Sequence, residues 1–110
     1  MLPRVNRLTL KSDFQKVLKA KNFLHSKYFA LSSVQDNNKS PQLGIIVSNK
    51  VSKKATERNR IKRIIREAAR NYINNWSCGL KVVVLTKTSA STIESKILTA
   101  DIENVFKKLK

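Results

Sequence analysis

The chain has 110 residues, with 23 lysines and arginines against seven acids and a formal charge of +16. That length supports one core burying about two thirds of the unfolded surface, and the charge excess calls for a partner that neutralises it, nucleic acid before an anionic membrane. No apolar run reaches the roughly 20 residues of a bilayer span, the N-terminus lacks the apolar core of a secretory signal, and a lone cysteine, Cys78, leaves no internal disulfide and fits a reducing cytoplasm.

In the first eight residues Arg4 and Arg7 stand among Leu2, Val5 and Leu8. Ser12 followed by Gln15 is a capping-box pattern, which predicts a helix from Asp13. Phe14, Val17 and Leu18 share one face of it, and periodicity alone reads them as core; Lys11, Lys16, Lys19 and Lys21 lie elsewhere. Residues 22–34 read as extended, a short strand near Asn22–Leu24 and then Lys27–Val34. Alternation sets Phe29, Leu31 and Ser33 against Tyr28, Ala30, Ser32 and Val34. Gln35–Gln42 is polar turn chemistry, read as a hairpin loop. It returns Leu43–Ser48 antiparallel beside the preceding strand, as a central strand.

Ser52 and Thr56 are candidate N-caps for a helix reaching about Asn75, with Trp76 extending its apolar stripe and Gly79 as the stop signal. Leu80–Thr86 is strand-like and Lys87–Thr92 a loop of small polar residues. A last helix from about Ile93 to Lys108 aligns Leu98, Ile102, Val105, Phe106 and Leu109. The expected fold is α+β: a single two-layer domain over residues 1–110, helix–strands–helix–strand–helix, with a mixed sheet of about four strands packed against helices.

The middle helix is the informative one. From Ala55 its apolar residues fall at Ile61, Ile64, Ile65, Ala68 and Tyr72, while Asn59, Lys62, Arg63, Arg66 and Arg70 collect on a neighbouring arc. Lys50, Lys53 and Lys54 carry the charge into the segment ahead. Glu67 can pair with Arg63 or Arg70, and Glu57 with Arg60, but the remaining like charges repel by a few tenths of a kcal/mol per pair. A merely solvated face would mix its signs; a face for a polyanion explains the excess better. Arginine's planar fork grips phosphate with two hydrogen bonds, where lysine offers a point charge. Arg58 lies toward the apolar edge, so a structural ion pair or cap stays open for it.

The run Lys-Lys-Ala-Thr-Glu-Arg-Asn-Arg-Ile-Lys-Arg-Ile-Ile-Arg-Glu, residues 53–67, resembles the Arg-Asn-Arg signature of the bacterial ribonuclease P protein subunit. Asn6-Arg7-Leu8, Asp13-Phe14-Gln15-Lys16-Val17, Leu43-Gly44-Ile45-Ile46-Val47-Ser48 and Val82-Val83-Val84 extend the resemblance over nearly the whole chain. What it implies is a left-handed βαβ crossover and a non-catalytic protein subunit bound to an RNA that removes the 5′ leader from precursor tRNA. The magnesium ions would belong to the RNA-containing holoenzyme, with no cofactor held by the protein alone. The resemblance points to Arg58, Asn59, Arg60, Lys62, Arg63, Arg66 and Arg70 as the RNA-contacting set, with Lys50, Lys53 and Lys54 beside the leader path. It places Phe14, Leu18, Ser32 and Val47 in the leader cleft. Leucine and serine replace aromatics that some relatives carry at positions 18 and 32, and a base stacks on an aromatic for about 1–3 kcal/mol. A monomeric protein in a cytoplasmic 1:1 ribonucleoprotein is the implied assembly.

No catalytic constellation stands in the protein itself. Asp13, Asp36, Glu57, Glu67, Glu94, Asp101 and Glu103 are scattered, and a metal-dependent nuclease gathers its carboxylates. His25 and Cys78 cannot make a zinc site between them, and Gly44 and Gly79 are too far apart for a phosphate-binding loop. The rival reading is a general RNA-binding, chaperone-like or ribosomal protein with no enzymatic role, which composition alone does not separate from the first. An unaided nuclease and a membrane-surface role rank below both.

Overall fold

The computed structural model describes residues 6–8, 11–20, 23–37 and 39–109. In chain order its elements are α1 (Lys11–Lys19), β1 (Phe23–His25), β2 (Phe29–Gln35), β3 (Gln42–Ile46), α2 (Ala55–Arg70), β4 (Leu80–Thr86) and α3 (Ser95–Phe106), with short 3-10 turns at Ile73–Asn75 and Thr88–Ala90. The readings made for residues 1–5, Lys21 and Asn22 lie outside the described residues.

Strand β4 sets the arrangement. Leu80, Val82 and Val84 belong to the main core, while Val83, facing the other way, joins a smaller cluster with Leu8 and Val17. A strand apolar on both faces belongs in the middle of a covered sheet. The strand order is accordingly β1-β2-β4-β3, with β4 antiparallel to β2 and parallel to β3. This corrects the expected hairpin: β3 does not pair with β2, because β4 is inserted between them, and β3 lies at an edge rather than in the centre. A parallel β3–β4 pair requires a crossover, and α2 provides it.

Helices cover both faces, where the expectation set the sheet against one helical layer. Ile61, Ile65, Ala68 and Ala69 of α2 and Leu98, Ile102, Val105 and Phe106 of α3 pack with Phe29, Leu31, Val82 and Val84. Each such large apolar side chain stabilises the fold by about 1.5–3 kcal/mol when fully buried. Trp76 meets Phe106 edge-on with centroids 5.3 Å apart, closing one end of this core. Tyr28 joins the same core, so the alternation holds from Phe29 onward and not at Tyr28.

Helix α1 covers the opposite face through Val17, Phe14 and Leu18. The Ser32 hydroxyl donates to the Val17 carbonyl at 2.8 Å, and Lys81 of β4 reaches Asp13 of α1 at 3.0 Å and Asp36 at 2.9 Å. Lys16 of α1 closes the network on Asp36 at 2.8 Å. A charge under a helix is stable only when paired and hydrogen-bonded, and Lys81 has both kinds of partner.

Local boundaries also move. Helix α1 starts at Lys11, so Ser12 lies inside it and is no cap. Neither Ser52 nor Thr56 caps α2; Lys54 occupies the N-cap with no side-chain bond, and the Ser52 hydroxyl accepts the Lys54 N–H at 3.2 Å in the turn before. Helix α2 ends at Arg70, well short of Gly79. Gly79 instead lets two backbones touch: its carbonyl accepts the Asp36 N–H at 2.8 Å, and a β-carbon there would strike the Asp36 carbonyl oxygen.

Candidate nucleic-acid interface

The outer edge of β3 is partly closed by the N-terminal segment. Leu8 donates its N–H to the Leu43 carbonyl at 3.0 Å, and the Asn6 amide donates to the Pro41 carbonyl at 2.8 Å. Beyond that bridge a cleft of about 170 Å³ opens along the strand, lined by Arg7, Phe14, Gly44, Ile45, Lys62 and Arg66 together with Leu8 and Leu43. One wall is α1, the other α2, and β3 is the floor. No acidic residue lines it.

Two residues that the charge pattern did not single out shape this cleft. Arg7 adds a cation from the N-terminal segment, marked in the sequence only by its place beside the core residue Leu8. Gly44 lets the Phe14 ring rest against the β3 backbone, since a β-carbon would stand 2.6 Å from the ring's Cζ. A glycine inside a strand-like run was the signal available for that close approach.

The structure divides the cations read from the sequence. Arg58 donates to the Ser52 carbonyl at 2.8 Å, the structural alternative left open for it. Arg60 is held by Glu57 at 3.3 Å, by the Ser95 hydroxyl at 3.0 Å and by the Ile93 carbonyl at 3.3 Å, which fastens α2 to the start of α3. Arg70 pairs with Glu67 at 3.2 Å, both side chains exposed. Asn59, Arg63 and Arg66 are exposed and Lys62 half-buried, and these four side chains have no hydrogen-bond or ion-pair partner among the described residues. Lys50, Lys53 and Lys54 are exposed before α2, and Lys53 and Lys54 border a second opening with Arg60 near the helix N-terminus.

The four residues read as a leader cleft do not come together. Phe14 and Leu18 sit half-buried on α1, and Phe14 alone of the four reaches the cleft. Ser32 has no exposed surface, and its hydroxyl is engaged by Val17. Val47 is buried in the main core with the α2 and α3 residues, away from the cluster that holds Phe14.

Most of the acids have structural duties. Asp13 and Asp36 bind Lys81, Glu57 and Glu67 bind arginines, and Asp101 accepts the Ser26 hydroxyl at 2.6 Å and the Tyr28 N–H at 2.9 Å in the β1–β2 turn. Hydrogen bonds from Lys16 and Lys81 hold the Asp36 carboxyl well below the usual carboxylate range. The bond to Asp36, with further help from Asp13, outweighs burial and raises Lys81 above the usual lysine value. Among the described residues no group of three or more His, Cys, Asp or Glu side chains could hold a metal ion, and no helix is long and apolar enough to cross a membrane.

Comparison with known proteins agrees with this geometry. The family described as Ribonuclease P matches residues 2–110. A ribonuclease P protein component of Pseudanabaena sp. (strain PCC 6903) is 38% identical over 111 residues, covering 100% of this chain and 96% of that protein. One from Clostridioides difficile (strain 630) is 32% identical, covering 96% of this chain and 92% of that protein. Among solved structures, the RNase P protein of Staphylococcus aureus superposes with a TM-score of 0.84 at 25% identity over 93% of both chains. That of Thermotoga maritima gives 0.80 at 28% identity, over 94% of this chain and 97% of that one.

Proposed function

The chain belongs to the ribonuclease P protein family, and on that premise we propose that the cleft along β3 takes the unpaired 5′ leader of precursor tRNA while α2 grips the phosphates of the ribonuclease P RNA. The observation that carries this reading is the meeting of Phe14, Lys62 and Arg66 in one acid-free cleft. An unpaired strand presents a base face and a phosphate at each step; an aromatic ring and a pair of cations answer both.

Arg63 and Asn59, exposed beside that wall, extend the contact to folded RNA, and Lys50, Lys53 and Lys54 carry it past the helix start. Contacts of this kind fix position without reading sequence. Arg58 and Arg60 hold the helix in place and act on RNA through it. Arg70 contributes after exchanging Glu67 for a phosphate.

In this reading the hydrolysis is the RNA's own. Magnesium would be held by the RNA-containing holoenzyme, where it would supply an activated water and charge stabilisation for the cut. The chain's residues bind, orient and screen. A 1:1 complex in the cytoplasm is the assembly proposed.

The test is reconstitution with the host's ribonuclease P RNA at low magnesium. Adding the chain is expected to restore cleavage of precursor tRNA, and the chain alone to give none. Cleavage by the protein alone, or recovery of only ribosomal RNA when the chain is used as bait, overturns the reading.

A further inference from the structure

The sheet has a second edge. Strand β1 stands at the opposite end of the strand order from β3. Phe23 on it is 37% exposed and is joined as an exposed large apolar side chain, among the described residues, only by Ile97. Its ring is stacked on that of His25, with centroids 6.1 Å apart and planes 30° from parallel. Phe23 also borders an opening of about 510 Å³, lined further by Ser33, Gln35, Lys108 and Leu109 among others and by no acidic residue.

We propose that Phe23, backed by His25 and bordering an opening that Lys108 also lines, is a second landing point for the leader of precursor tRNA, taking an upstream unpaired nucleotide after the strand has left the Phe14 cleft. The inference rests on the leader reading given above and extends it to a different edge of the sheet. An exposed aromatic pair on a chain of charge +16 suits a polyanion that carries flat apolar faces, and the acid-free opening offers a cation and hydrogen-bonding groups for phosphate and base edge. The leader is the better occupant than the catalytic RNA because its bases are unpaired and free to stack, whereas a folded RNA pairs most of its own. Three inter-strand spacings of about 4.8 Å separate the two edges by about 14 Å, a distance a few unpaired nucleotides cover. An extended protein segment adding to the free edge of β1 is the competing occupant.

The experiment compares holoenzymes carrying the unaltered chain, Phe23→Ala or Phe23→Trp on two precursor tRNAs, one with a leader of about two nucleotides and one of about ten. Phe23→Ala is expected to weaken binding of the long-leader substrate by about five- to 150-fold, the range for removing one base–aromatic stack, and to leave the short-leader substrate unchanged. Phe23→Trp is expected to bind both as the unaltered chain does. Equal losses on both leaders, no loss on either, or a tryptophan variant as weak as the alanine one overturns the proposal. Arg63→Ala with Arg66→Ala is the parallel arm. If the unaltered holoenzyme prefers the long leader and Phe23→Ala does not diminish that preference, the second landing point alone is refuted. If the unaltered holoenzyme shows no leader preference, the parent reading falls with it.

Discussion

The Phe14 ring lies against the backbone of Gly44, with its Cζ 2.6 Å from the place a β-carbon would take on that residue. The contact joins the wall of the cleft to its floor, so the aromatic surface that the cleft presents depends on the glycine beneath it.

Gly44→Ala is therefore expected to displace the ring with only a modest loss of stability, about 1 kcal/mol, because the obstructing atoms are the end of a half-buried side chain that can swing. Binding of precursor tRNA with a leader should fall toward that of tRNA without one, as it should in Phe14→Ala. Since both changes remove the same surface, the double variant should be no weaker than Phe14→Ala. Additive losses across this cycle, measured by equilibrium binding, would separate the glycine from the site.

Arg63→Ala combined with Arg66→Ala should leave the unfolding free energy within about 0.5 kcal/mol of the unaltered chain's, since both side chains are exposed and without partners in the described structure. Affinity for the ribonuclease P RNA should drop, and the salt dependence of binding should flatten by roughly one unit of slope for each phosphate no longer gripped. Arg60→Ala should behave the other way, lowering stability first, because it unfastens α2 from the start of α3. A salt slope that does not change in the double variant would take Arg63 and Arg66 out of the interface.

Asp36 predicts an acid response. Its carboxyl titrates below its ordinary range because Lys16 and Lys81 bind the ionised form. The stability it contributes is present above the unfolded value near pH 4 and is lost as pH falls from there through the folded value. Asp36→Asn should be less stable at neutral pH and should lose less on acidification between about pH 4 and pH 2. Lys81, raised in the fold, contributes fully below about pH 10.4 and loses its contribution as pH rises through the folded value. Thermal melts showing the same acid slope for both chains would dissolve the link.

Ser32→Ala should cost about 1 kcal/mol of stability, the worth of a buried hydrogen bond to the Val17 carbonyl, and should leave leader preference intact. Urea denaturation reads the first and paired substrates the second. Lost preference at unchanged stability would return Ser32 to the site.

What was legible in the chain was what repeats at short range. Helical spacing marked Ile61, Ile65 and Ala68 as core, and the same wheel set Lys62, Arg63 and Arg66 on an adjoining arc that the fold leaves open. The short continuous apolar run located the strand Leu80–Thr86 to the residue, because such a run is self-evident without neighbours. The helix starts were less legible. Ser12, Ser52 and Thr56 are all chemically able to cap, yet none does, because packing begins the helices at Lys11 and Ala55 instead.

Only the tertiary structure decided which strand β3 lies beside, which arginines stay unpaired and what Phe14 touches. A strand's partner is chosen by burial on both faces of the sheet, so the stronger run of β4 took the centre and moved β3 to the edge where the cleft forms. Arg60 was withdrawn by α3, an element 35 residues further on. Ser32 and Val47 passed into the interior. These outcomes come from contacts between distant parts of the chain, and the local spacing of residues carries the charge and the period but not the partner.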